Sequence, residues 1–297
     1  FVMANKRGRP EVGVSESQRE LIALLEEDFQ WQVADNPEFA SQCGNHKHDS
    51  HLQDLSPEAF ERRAEHNAVL LTRLAKIPAS ELDERYQLYH RLFSEDLQGE
   101  LASLRLGCHL FAVNSIGIGG AHHNFVETLQ WALHESAADH EAFVARLEAF
   151  PAQCKGYIAL LEAGRERGLV ASRDMLRDAA EQVRALSRGP PEVQARIDVL
   201  GASLQPRAEA ANAAFRASLG DLADYLVRYR KEFARAIPGV GALPGGDAIY
   251  AQCLAYHTTT ALQPSEVHEI GLQEVERIRR RMASEVFEKL GLHGEGA

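Results

Sequence analysis

The chain has 297 residues, of which 45% are hydrophobic, enough for a folded core and against gross disorder. Its formal net charge of −11 argues against a protein that holds nucleic acid by neutralising phosphates. No apolar run reaches the roughly 20 residues that a membrane-spanning helix needs.

Residues 1–15 carry no helical period and are read as a flexible N-terminal segment. The opening Phe1-Val2-Met3-Ala4-Asn5-Lys6-Arg7 lacks the apolar stretch of a signal peptide, although a start at Phe leaves an upstream segment open. Cys43, Cys108, Cys154 and Cys253 are scattered, without a C-x-x-C pair. Buried free thiols are expected, with neither a disulfide framework nor a thiolate zinc site, which suits a reducing, cytoplasmic compartment.

From Glu16 to about Ala34 the pattern is helical, with Leu21, Leu24, Leu25 and Phe29 inside. Ser56-Pro57-Glu58 opens a second helix running to about Ile77: Ser caps, Pro takes the first turn, and the acid suits the dipole. Between Ser80 and Leu106, Leu82, Tyr86, Tyr89, Phe93, Leu97, Leu101 and Leu104 form one apolar stripe. Asp139 to Arg167 is helical, with a kink or break expected at Pro151. Ser172–Leu186 and Pro206–Ile237 continue the pattern. Loops are expected at Cys43–Gln53, Asn114–Asn124, Gly189-Pro190-Pro191 and Pro238–Gly246. The chain thus reads as all-α, a multi-helix array forming one unit over 16–297, with a minor extended element near His257–Thr260.

Thirteen histidines invite a search for metal sites. A zincin places H-E-x-x-H on a helix, so that both imidazoles share one face beside the glutamate. His134-Glu135, His140-Glu141 and His268-Glu269 are each followed, at the fourth position after the histidine, by Ala138, Val144 and Leu272. None completes the motif. His134 and His140 lie six residues apart, which in an unbroken helix turns the second ring away from the first; the pair is read as a solvated helix end. His46, His48 and His51, with Asp49, form the densest cluster, read as a surface loop closed by Asp and Ser turns; the alternative is a metal-ligand set. Gly117-Ile118-Gly119-Gly120 and Gly239-Val240-Gly241 complete no dinucleotide fingerprint, and neither a P-loop nor a nucleophile elbow is present.

The last fifty residues are the most specific. Gly245-Gly246 permits a tight turn, and Asp247 can cap a helix carrying Ile249, Tyr250 and Leu254. His257-Thr258-Thr259-Thr260 is a β-branched run that breaks it. Pro264 and Glu266 restart a helix whose stripe is Val267, Ile270, Val275, Ile278, Met282, Val286 and Leu290. The segment is either a polar helix connection or a cleft-lining element, with Tyr250, His257, Thr258 and Thr259 as candidate substrate contacts.

Pro244-Gly245-Gly246, Tyr250, His257-Thr258-Thr259 and Pro264-x-Glu266-x-His268-x-x-Gly271-Leu272-x-x-Val275-x-x-Ile278 resemble the middle of the DUF885 family. Gly44-x-His46-x-x-Asp49, followed by Leu55-Ser56-Pro57-Glu58-Ala59, resembles its N-terminal region, so the likeness runs from about Phe39 to Leu292. The resemblance implies relatives of gluzincin-type zinc metallopeptidases, built as a mostly helical cleft with a stretched H-E-x-x-P-G-H in the C-terminal half. This chain lacks that motif, so no catalytic residue, metal ligand or cofactor is assigned to it; zinc is implied for the full-length family. On this reading the chain is the N-terminal helical half, expected inactive alone. Its partners would be the missing catalytic half and, in the whole protein, a peptide-like substrate. A non-enzymatic helical scaffold or binding protein is the alternative.

Overall fold

The computed structural model describes residues 14–114 and 124–291 and is all-α, a multi-helix array. The expected flexible segment is outside the described residues except for Val14 and Ser15, as are Gly117–Gly120 and His122-His123. The sequence pattern suggests one unit over 16–297, but contacts divide the chain into Phe1–Gly246 and Asp247–Ala297.

The first unit begins with α1 (Glu16–Asp35), closed by a capping box in which Ser15 Oγ accepts from the Gln18 amide. The short α2 (Pro37–Gln42) and a 3-10 turn over His46–His48 lead to α3 (Pro57–Leu74). Ser56 caps α3 with Pro57 in its first turn, as its sequence requires. The next helix, α4 (Glu84–Leu106), starts later than its stripe suggests. Asp83 accepts from the Tyr86 amide at 3.0 Å and so sets its start, while Ala79–Glu81 stays in a 3-10 turn. One core cluster joins α1, α3 and α4 through Leu21, Leu24, Leu70, Leu74, Phe93 and Leu97.

After α5 (Asn124–Leu129) comes α6 (Ala137–Glu166), which Pro151 does not break. Proline removes one ladder donor, but Phe150, Cys154 and Tyr157 on either side are buried, and their packing holds the helix through the gap. The pattern from Ser172 becomes a helix only at α7 (Ala179–Ser187); before it, the Arg173 amide donates to the Arg235 carbonyl and residues 173–178 form turns. The expected Gly-Pro-Pro loop holds for Gly189 and Pro190, while Pro191 takes the first turn of α8 (Pro191–Asp198). The long α9 (Gln205–Glu232) packs against α6 and α7. Phe125, Phe150 and Phe215 meet with ring centroids 4.4–5.1 Å apart at the centre of this layer. All four cysteines are free, but only Cys154 is buried, while Cys43 and Cys253 are exposed; their flanking turns and short apolar stripes give them no cover.

A buried polar network fixes the irregular stretch between α2 and α3. Arg146, 1% exposed on α6, donates to the His51 carbonyl at 3.0 Å, the His48 carbonyl at 3.3 Å and Ser41 Oγ at 3.1 Å. Asp49 accepts from Ser41 at 2.5 Å and lies 3.5 Å from the guanidinium. Nearby, the buried Glu38 takes the Gln53 amide at 2.9 Å and the Gln153 amide group at 2.7 Å. Gly156 lets α6 approach this stretch, since a Cβ there would stand 2.7 Å from Leu55 Cβ. Burial pushes the Arg146 pKa down while Asp49 and Glu38 pull it up.

The second unit holds most of α10 (Gly246–Thr258) and α11 (Pro264–Arg281), continued by a π turn over Met282–Phe287 and a last turn, Glu288–Leu290. The β-branched run does not make the extended element expected near His257–Thr260: α10 runs through Thr258, and the bridge that does form joins Ser172 to Arg235. Among the described residues of this unit only Ile249 is buried. The apolar stripe of α11 is exposed.

Arg146→Met keeps the aliphatic stem but removes the donor from five acceptors: the Pro37, His48 and His51 carbonyls, Ser41 Oγ and Asp49. Urea unfolding should show a loss of about 3 kcal/mol, the usual scale for breaking a buried charged network. The loss should be smaller when Asp49→Asn is already present.

Candidate functional site

The family-like segment ends α10. Tyr250 and His257 stand seven residues apart on one helix, and therefore on nearly the same face. Tyr250 is 47% exposed, and His257 is exposed and packs edge-on against Tyr256 at 5.2 Å. The threonines turn to the backbone. Thr258 Oγ1 donates to the Leu254 carbonyl at 2.7 Å and sits 2.9 Å from Thr260 Oγ1. Thr259 Oγ1 donates to the Thr258 carbonyl at 2.7 Å. The hydroxyls thus close the helix end, while the Tyr250 and His257 side chains are exposed.

Thr259 has φ 53°, the left-handed region, and is the sole non-glycine with positive φ among the described residues. A β-branched side chain pays for that conformation, which glycine adopts freely at a helix end. The Thr259 amide nonetheless completes a bond to the Ala255 carbonyl at 2.9 Å. The rigid stop fixes where α10 ends relative to His257.

The histidine cluster is built differently from a ligand set. His46–His48 form a 3-10 turn, His46 Nδ1 meets Asp49 Oδ2 at 3.0 Å, and His51 Nδ1 lies 2.9 Å from Ser50 Oγ. Asp49 is turned toward Ser41 and Arg146, and the His48 and His51 carbonyls serve Arg146. Gly44, with φ 74°, makes the turn that starts this stretch. The Gly44-x-His46-x-x-Asp49 pattern therefore builds a loop. Among the described residues, no group of three or more His, Cys, Asp or Glu side chains could hold a metal ion, so these residues do not fit a zinc site.

His134 and His140 differ from the expected solvated helix end. α6 begins only at Ala137, so His134 precedes it, and the two rings pack with centroids 4.4 Å apart. Arg196 of α8 holds this corner by donating to the carbonyls of Leu129, Ala132 and Leu133. Burial, helped by the Arg196 cation, lowers the His134 pKa. His109, stacked on Phe60 at 4.4 Å, is pushed down to about 4 by burial, with the Arg167 and Arg63 cations adding to the effect.

Two outcomes follow. Thr259→Gly should stabilise the helix end by about 1 kcal/mol, read as a higher thermal midpoint of helical circular dichroism. For His109 the unfolded chain holds the extra proton between pH 6.5 and about 4, so stability should fall as pH drops through that window. His109→Phe should flatten this part of a plot of midpoint against pH.

The fold is similar to the structure described as "putative lipoprotein from Colwellia psychrerythraea", with a TM-score of 0.71 at 16% identity. The match covers 95% of this chain and 52% of that one, so the chain spans about half the length of its structural relative. No curated protein matches. The family model described as "Bacterial protein of unknown function (DUF885)" matches residues 37–295, and the chain belongs to that family.

Proposed function

We propose that this chain is the N-terminal helical half of a zinc-dependent, peptidase-like hydrolase and supplies one wall of its substrate cleft. The observation that carries the reading is the apolar face of α11 and its continuation. Ile270, Val275, Ile278, Met282, Val286 and Leu290 recur at helical spacing and are each 42–66% exposed. On the same helix, Glu274–Arg277, Glu276–Arg280 and Arg281–Glu285 pair at 2.6–3.0 Å. An amphipathic helix with its apolar side in water has a large burial term still to collect. A polar-faced scaffold would not keep such a stripe, which favours the hydrolase reading over the non-enzymatic one. The twofold greater length of the structural relative is consistent with a second half that covers it.

In this reading the chain's own part is binding. Tyr250 offers a ring and a hydroxyl, and His257 an imidazole, from one face of α10; Thr258 and Thr259 hold the helix end that positions them. In this reading the other half supplies zinc and the general base; among the described residues of this chain, no group of three or more His, Cys, Asp or Glu could hold a metal ion.

The purified chain should neither take up zinc stoichiometrically nor cleave a fluorescence-quenched peptide library with zinc added. Tight zinc binding together with metal-dependent cleavage would overturn the proposal. The chain should also enhance the fluorescence of an apolar dye, and Ile270→Glu with Ile278→Glu should remove most of that signal without changing the melt of the first unit. An unchanged signal in the double variant would count against α11 as the docking face.

A further inference from the structure

A second open surface lies wholly within the first unit. A groove of about 700 Å3 is lined by Arg173, Arg177, Arg184, Arg230 and Lys231, with Glu181 as its one carboxylate. Five cations against one acid stand out in a chain of net charge −11. Arg173 and Arg177 come from the turn leading into α7, Arg184 from α7 itself, and Arg230 and Lys231 from the end of α9, which packs against α7. On α11, Arg277, Arg280 and Arg281 each pair with a glutamate three or four residues away, as a solvated helix face does. In the groove, Arg173 and Lys231 have no carboxylate within ion-pair distance among the described residues.

The backbone around the groove is fixed. Arg230 Nε donates to the Arg173 carbonyl at 3.1 Å, and the Arg173 amide donates to the Arg235 carbonyl at 2.9 Å beside the Ser172–Arg235 bridge. This anchors Arg230 through Nε and leaves its terminal amino groups available. Arg177 and Arg184 pair with Asp174 and Asp224 at 2.7 Å, but those carboxylates are 55% and 74% exposed and do not line the groove. Such exposed pairs exchange readily for a better acceptor. Val227, 53% exposed, adds an apolar patch to the floor.

We propose that this groove binds a small, multiply charged oxyanion, a compound carrying phosphate or carboxylate groups, with any apolar part resting on Val227. Guanidinium forks match such groups in bidentate fashion, and the volume suits a small ligand. Nothing in this site depends on the peptidase reading, and its test is separate from peptide cleavage.

The test is calorimetric titration of the whole chain, at low ionic strength, with inorganic tripolyphosphate and, separately, with citrate. At least one should bind with one-to-one stoichiometry, and added salt should weaken it. Binding of tripolyphosphate alone identifies a phosphate ligand, and binding of citrate alone a carboxylate one. Arg173→Glu with Lys231→Glu should weaken binding by about tenfold or more. Arg173→Ala with Lys231→Ala should weaken it in the same direction, should the charge reversals disturb folding. Arg91→Glu, at an exposed cation outside the groove, should leave it unchanged. The proposal fails if neither anion binds, if the groove variants bind as tightly as the parent, or if Arg91→Glu weakens binding as much as they do.

Discussion

Buried or half-buried guanidinium groups that collect backbone carbonyls are the constraint on which the first unit depends. Helices satisfy their own carbonyls, but the segments that join them do not, and a buried carbonyl without a donor is costly. Arg146 serves the stretch after α2, and Arg196 serves the corner after α5. Arg63 takes the Asp54 carbonyl at 2.7 Å while paired with Asp35 at 2.6 Å, and Arg235 takes the Val170 carbonyl at 3.0 Å. A planar group with five donors can serve several acceptors at once, which a lysine cannot do with the same geometry. The helices are thus locked through their connections as well as their apolar faces.

This explains what was legible in the sequence. The main helices were, because apolar side chains at intervals of three and four reach one core, and Ser56 with Pro57 marks its own helix start. Long-range pairings were not: nothing local tells Ser172 that Arg235 will hold the next residue. Pro190-Pro191 looks like an interruption, yet the second proline is suited to a first turn. Arg146 sits between Phe143, Val144 and Leu147, on the face that goes inside, and a cation on an apolar face was a signal that could have been used. Its partners were out of reach of any local pattern, since they lie about a hundred residues away.

The candidate site was legible in part. Tyr250 and His257 share one exposed face of α10, as their spacing of seven residues implies. The threonines beside them end a helix that persists further than β-branching suggests, and their hydroxyls go to carbonyls and to each other. In the dense histidine stretch, residue types that favour metal binding sit in a loop whose geometry answers to Arg146. Side-chain chemistry marks a candidate, but the backbone decides whether the groups can converge.

The π turn over Met282–Phe287 acts as a register shifter. A π turn holds about one residue more than an α turn, and one residue corresponds to a rotation of roughly 100° about the helix axis. Side chains beyond Phe287 are therefore swung around the axis relative to an uninterrupted α-helix, and Leu290 with them. Whatever surface meets this helix must follow a stripe that changes direction at the π turn. Two straight helices with matching apolar content would not be interchangeable with it.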